Sequence, residues 1–397
     1  MQQTTEKKRL AVITGTRAEY GLLRPVIFKL LKSDKIIPLV IVTGAHLSAR
    51  YGQTVGEIEA DGVPIAARID ILRFGDGPLA LPDTVAYTIQ QFARWFEAER
   101  PDGVLVLGDR YEIFAAAQAA AMMGVPIAHI SGGDVTLGAA DDYYRHCITK
   151  MASLHFPSCE EYARRVIRMG EDPRRVLNVG GLGDENIRTM PKLTRDELAG
   201  SIGFDLEQPF GLVTFHPETA AGAAPAAVQM DALLAAMEDV HAETGLRYVV
   251  TKANADAGGA DINARIDAWA AGHTDYAAAY TSLGVRRYLS AMQYAAVVAG
   301  NSSSGVVETP TFGVPAVNIG TRQAGRIVCP NVLCCPAQRE AIAQALRTAL
   351  TPEFAVQARR TVSPYNGGDT SGRIVAALEK ALFCPELTAP KGFYDGK

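Results

Sequence analysis

Residues 12–21, VITGTRAEYG, show the pattern that most constrains this chain: a wholly apolar run stops at a glycine, charged side chains crowd the next few positions, and a helical pattern begins. The pattern recurs. Apolar runs at 9–15, 36–44, 102–109 and 125–133 alternate with helical stretches at 22–32, 86–99, 113–123 and 142–153. Runs that are apolar throughout, rather than at alternate positions, suit strands covered on both faces. Strand and helix in regular alternation then imply right-handed crossovers and an open parallel sheet.

The same pattern restarts beyond residue 185. Strands are expected at 209–219, 246–254, 295–304, 314–320 and 331–335, and helices at 226–244, 261–271, 304–312 and 337–350. A chain of 397 residues is also too long for one ordinary core. The expected class is α/β, with two Rossmann-like doubly wound domains facing a cleft. The N-terminal domain spans 1–185 and the C-terminal domain 186–364. The last segment, 365–397, carries a helix capped by Asp369 that crosses back to the N-terminal domain. The polar stretch 184–200 reads as the linker.

Charge narrows the partners. A net charge of -4 with no run of Lys or Arg argues against nucleic acid, so any anionic ligand must be held by local positive groups. No apolar run reaches the ~18 residues of a membrane span, and the N-terminal residues show no signal-peptide pattern. The six cysteines form no CxxC pair and suit reduced thiols. The expectation is a cytoplasmic protein.

In open parallel sheets ligands bind beyond the carboxyl ends of the strands. The residues placed there are Gly15–Glu19, Gly44–His46, Gly108–Glu112 and Ser131–Asp134 in the first half. In the second half they are His216–Thr219, Lys252–Asn254, Gly300–Gly305 and Gly320–Arg322. Singly, Thr16 or Asp109 reads as a helix cap, and His46, His129 or His216 as a core histidine. Together, at equivalent ends, they read as a site. GNSSSG (300–305) ends a strand and opens a helix, so free N–H groups, hydroxyls of Ser302, Ser303 and Ser304 and the positive helix end favour a phosphate. Glu308 is placed to accept from ribose hydroxyls. No G-x-G-x-x-G and no G-x-x-x-x-G-K-[ST] occurs. A sugar nucleotide suits two facing domains better than a dinucleotide or ATP.

TGTRAEYG, GDRYE, SGGDVTLGAADDYYRHCITKMASLHF, HPET and GNSSSGVVETPTFGVPAVNIGTRQAGR, in order from residue 12 to about 375, resemble the UDP-N-acetylglucosamine 2-epimerase family. The resemblance is strongest to its hydrolysing branch, which feeds sialic and legionaminic acid synthesis. It implies the glycosyltransferase type B fold, a UDP-sugar substrate, no cofactor and no metal, and a homodimer or homotetramer. The implied reaction is anti-elimination of UDP across C1–C2, then addition of water with C2 protonated on the opposite face. The free manno-configured sugar and UDP are released.

Carried over by residue, the resemblance makes Asp109 and Asp141 catalytic carboxylates, with His216 among the catalytic groups. It places Arg17, Arg110, Ser302, Ser303, Ser304, Glu308 and Arg322 on the UDP, with Arg17 in a turn against the diphosphate. Ser131 departs from the pattern, since many members have glutamate there; Asp134 is the candidate replacement. A glycosyltransferase of the same fold and a non-hydrolysing UDP-sugar 2-epimerase stay open as alternatives. A metallophosphoesterase is set aside because its D-x-H and GNH ligand patterns are missing. A non-enzymatic sugar-nucleotide sensor is separable only by turnover.

Overall fold

The computed structural model describes residues 6–49, 53–74, 79–136, 141–218, 224–253 and 259–396. The chain divides into two units, residues 1–186 with 364–397, and residues 187–363. The first unit holds β1 (Lys8–Thr14), β2 (Ile36–Thr43), β3 (Ile65–Ile69), β4 (Gly103–Leu107), β5 (Ile127–Ile130) and β6 (Leu154–Phe156). They form one parallel sheet in the order β3-β2-β1-β4-β5-β6. The second unit holds β7 (Phe210–Thr214), β8 (Arg247–Thr251), β9 (Ala277–Tyr280), β10 (Val297–Gly300), β11 (Ala316–Ile319) and β12 (Val332–Cys335). Its parallel order, β12-β11-β10-β7-β8-β9, is the same doubly wound topology.

The apolar runs are explained by cover on both faces. On β1, Leu10 and Val12 join the core beneath the helices Arg17–Leu31 and Thr370–Ala381, while Ala11 and Ile13 join the opposite core under Ala80–Glu99 and Tyr111–Met122. The second sheet is covered likewise by Ala226–Thr244, Gly259–Gly272 and Arg339–Ala349 on one face and Gly284–Tyr294 on the other. Asp369 caps the helix Thr370–Ala381, accepting from the Gly372 N–H, and this helix packs within the first unit.

Several elements differ from the sequence reading. The first helix begins at Arg17, five residues before 22. Thr16 and Glu19 form a reciprocal capping box that satisfies its first N–H groups. The stretch 184–200 is not an open linker: it carries the helices Leu182–Thr189 and Arg195–Ile202, the second opened by a Thr194–Glu197 capping box. The units part inside the first of these, between Asn186 and Ile187. The helix expected over 304–312 is two single turns, Ser304–Val307 and Thr309–Phe312, separated at Glu308, two residues ahead of Pro310. β3, β6 and β9 escaped the pattern because β3 alternates partly covered with exposed positions, β6 is three residues long, and β9 reads AAAY.

Candidate active site

The strand order reverses between β1 and β4 in one sheet and between β7 and β10 in the other. These switch points are where an open α/β sheet leaves a crevice beyond its carboxyl ends. The turns after these four strands carry Gly15–Glu19, Gly108–Glu112, His216–Glu218 and Gly300–Gly305. Thr219 and Asn254, also expected at strand ends, lie outside the described residues.

In the first unit, Asp109 follows β4 and is ion-paired with Arg145, whose guanidinium is only 7% exposed. The other arm of Arg145 donates to Asp142 Oδ1 at 2.8 Å and to the Asp134 carbonyl at 2.9 Å. Its Nη2 also lies 3.3 Å from Thr136 Oγ1. One buried fork thus ties the turns after β4 and β5 to the helix Asp141–Met151. Beneath it, His129 Nε2 lies 2.8 Å from the Gly108 carbonyl, and burial pushes the imidazole down to about 3. A neutral ring there donates to the turn that presents Asp109. His46 is equally structural, lying between Thr14 and Thr54 and pushed down to about 4 by burial.

Asp141 opens its helix at the surface. Partial desolvation, then the charge of Asp109, raise its carboxyl above the usual range against the pull of Arg110 and Arg145. The structure therefore brings Asp109 and Asp141 together in different surroundings. Asp134 is joined to this cluster through its backbone, while the charge of its side chain bears on Tyr365 and Cys159. Ser131 adopts the left-handed region, φ 65°, with its N–H on the Phe156 carbonyl at 3.0 Å.

Arg17 lies in the first helical turn rather than in a loop, because the capping box starts the helix at its position. Its side chain is 66% exposed and its Nε is 2.8 Å from Glu57. Arg110 is half-exposed, with its Nε held 2.6 Å from Oε1 of the fully buried Glu112.

In the second unit, Asn301 organises the switch point. Its side-chain oxygen accepts from the His216 N–H at 2.7 Å and its amide donates to the His216 carbonyl at 2.8 Å. Its own carbonyl accepts from Gln323 at 2.9 Å and Arg322 at 3.3 Å. His216 and Arg322 are thereby fixed to the GNSSSG turn. Gly300, at φ 130°, permits this crossing, since a Cβ there would stand 1.9 Å from the Thr214 carbonyl. Ser302 is half-buried and Ser303 exposed. Ser304 is buried, and its hydroxyl lies 2.6 Å from Tyr288 and 3.1 Å from Ser302. With only one turn, Ser304–Val307, behind them, these serines have no long helix dipole to draw on. Desolvation pushes the Glu308 carboxyl up to about 7.

Arg145 was not found by sequence reasoning, nor Gln323, while Glu112 and Asn301 were named only within strand-end turns, without the contacts they make. Arg145 carried one signal: Asp142 three positions before it, with Ile148 and Thr149 continuing its buried face. Among the described residues no three His, Cys, Asp or Glu side chains are grouped to hold a metal ion, and no helix is long and apolar enough to cross a membrane.

A family model described as UDP-N-acetylglucosamine 2-epimerase matches residues 29–379. The chain is 36% identical over 328 residues to GDP/UDP-N,N'-diacetylbacillosamine 2-epimerase (hydrolyzing) of Campylobacter jejuni, covering 82% of this chain and 84% of the relative. It is 34% identical over 376 residues to UDP-N,N'-diacetylbacillosamine 2-epimerase (hydrolyzing) of Legionella pneumophila, covering 94% and 96%. Among solved structures, the Neisseria meningitidis UDP-GlcNAc 2-epimerase bound to UDP-GlcNAc matches with a TM-score of 0.77 at 18% identity, over 94% of this chain and all of that one. The last likeness shows the fold, which is of the glycosyltransferase type B class with two Rossmann-like units.

Proposed function

The chain belongs to the UDP-N-acetylglucosamine 2-epimerase family, and from that premise we propose that it is a hydrolysing UDP-sugar 2-epimerase acting on UDP-N,N'-diacetylbacillosamine. This sugar is 2,4-diacetamido-2,4,6-trideoxyglucose, and the two hydrolysing relatives that carry its name favour it over UDP-N-acetylglucosamine. The observation that carries the reading is the pairing of two carboxylates in unlike settings, Asp109 against Arg145 and Asp141 with its proton affinity raised.

The hydrogen at C2 is weakly acidic, with no adjacent carbonyl, so departure of UDP must run ahead of proton loss. Positive charge then develops at C1, and a nearby carboxylate both stabilises it and accepts the C2 proton. Asp109 takes this part. The C1–O bond breaks, UDP departs with the bonding pair, and a 1,2-unsaturated sugar is left. Water then adds its hydroxyl at C1 and releases its other proton to solvent, while Asp141, an acid with a raised pKa, delivers a proton to the other face of C2. Asp134, on the turn bound to Arg145, is the third carboxylate of the set, standing in for the family glutamate replaced by Ser131. Arg17, Arg110, His216, Ser302, Ser303 and Arg322 stabilise the diphosphate, Ser304 orients Ser302, and Glu308 receives the ribose hydroxyls.

The test is a comparison of kcat/KM for UDP-N,N'-diacetylbacillosamine and UDP-N-acetylglucosamine, followed by UDP release. A preference of tenfold or more for the diacetamido sugar is expected; the reverse preference would remove the substrate assignment and leave the reaction class.

A further inference from the structure

We propose that Glu19 and Glu112, two buried carboxylates that take no part in the elimination or the protonation at C2, hold one proton between them and act as positioning residues for Arg110, coupling nucleotide binding to proton uptake. The coupling rests on the reading that Arg110 contacts the UDP.

Both side chains pack against the turn after β1, near enough for the charge of Glu112 to bear on Glu19. Glu19 Oε2 accepts from the Gly15 and Thr16 N–H groups at 2.8 and 3.0 Å. Glu112 Oε1 accepts from Arg110 Nε at 2.6 Å. Gly15 is the spacer: a Cβ there would come within 2.8 Å of Glu112 Cγ and Oε1, so only glycine lets the acids approach. Their outer oxygens, Glu19 Oε1 and Glu112 Oε2, are buried and have no hydrogen-bond partner among the described residues.

Two carboxylates and one guanidinium would leave a net negative charge in a dry site, which is expensive. One proton removes it and gives the two outer oxygens a donor and an acceptor. The remaining neighbour, His46 from the turn after β2, is neutral and supplies no compensation. Burial, then the charge of Glu112, push Glu19 up to about 8, whereas Arg110 and the two N–H groups pull it down. Glu19 therefore holds a proton at neutral pH, and Arg110 keeps its direction from the contact with Glu112.

Binding links to this proton. A diphosphate that draws on the positive charge of Arg110 leaves the acids less compensated, so their affinity for the proton rises. Near pH 8 UDP binding should then take up a substantial fraction of a proton. Titration calorimetry of the full chain with UDP, in two buffers of different ionisation enthalpy, reads that uptake directly. Glu19→Gln keeps the shape and the two N–H contacts but cannot ionise. It should bind UDP with the uptake lost. The infrared C=O component that titrates near pH 8 should be present in the parent and missing in Glu19→Gln, which keeps the component of Glu308 that titrates near 7. Equal uptake in both proteins, or no parent band titrating near pH 8, overturns the proposal. Failure of the parent to bind UDP would remove Arg110 as a nucleotide contact and the coupling with it, while the infrared band decides the shared proton. Should Glu19→Gln not fold, the band of the parent alone decides whether the proton is shared.

Discussion

Arg145 offers the sharpest perturbation, because one nearly buried guanidinium serves two carboxylates, a carbonyl and a hydroxyl. Replacing it by methionine keeps most of the volume and leaves those acceptors without their donor. Breaking a buried ion pair by removing one partner costs about 3–5 kcal/mol. Here Asp109 and Asp142 are 22% and 20% exposed, so water recovers part of the loss and about 2–4 kcal/mol is expected. Urea unfolding followed by circular dichroism measures it. The catalytic effect is separable by pH. Loss of the positive charge that pulls on Asp141 raises that carboxyl further, so the alkaline limb of kcat/KM should move to higher pH, and kcat should fall by ~10²-fold or more as Asp109 loses its partner. Arg145→Lys restores charge without the fork, so it should return the alkaline limb towards the parent position and recover only part of kcat. An Arg145→Met enzyme with an unmoved alkaline limb and kcat within threefold of the parent would refute the assignment.

Asp109→Asn should lower kcat by ~10²- to 10⁴-fold while UDP affinity stays near the parent value; the lost ion pair with Arg145 should also lower the melting temperature, so kcat of the folded variant decides, and a merely structural Asp109 would leave it intact. Arg17→Ala should cost ~2–4 kcal/mol of transition-state stabilisation, read from kcat/KM, if Arg17 leaves Glu57 for the diphosphate. The exposed pair itself is worth little, so Glu57→Gln should leave the melting temperature unchanged. Activity should persist in EDTA without added NAD, and rescue of a chelated enzyme by a divalent ion would contradict the metal-free route.

Much of the fold was legible because cover on both faces leaves its mark on every residue of a strand. Strands buried on both sides, β1, β4 and β7, read as unbroken apolar runs, and the glycines closing β1, β4 and β10, with the polar residues after β7, marked the switch points. The edges were less legible: β3 has one partly solvent-facing side, and β9 has no branched residue to announce it. At the site, Asp109, His216 and the GNSSSG turn could be found because strand ends are positions of known meaning. Arg145 and Glu112 could not. A mid-helix arginine and a first-turn glutamate ordinarily serve solvent and the helix dipole, and only the neighbouring chain segments bury them. The first helix began early for a similarly local reason, since the Thr16–Glu19 capping box lies inside the residues that looked like a catalytic turn.

Elimination followed by protonation at C2 leaves an isotopic record, so the most direct measurement is turnover of UDP-N,N'-diacetylbacillosamine in deuterated water, followed by ¹H NMR. The expected products are free UDP and the free manno-configured sugar carrying deuterium at C2. A product that keeps its C2 proton, or an epimerised sugar still attached to UDP, would contradict the hydrolysing elimination mechanism.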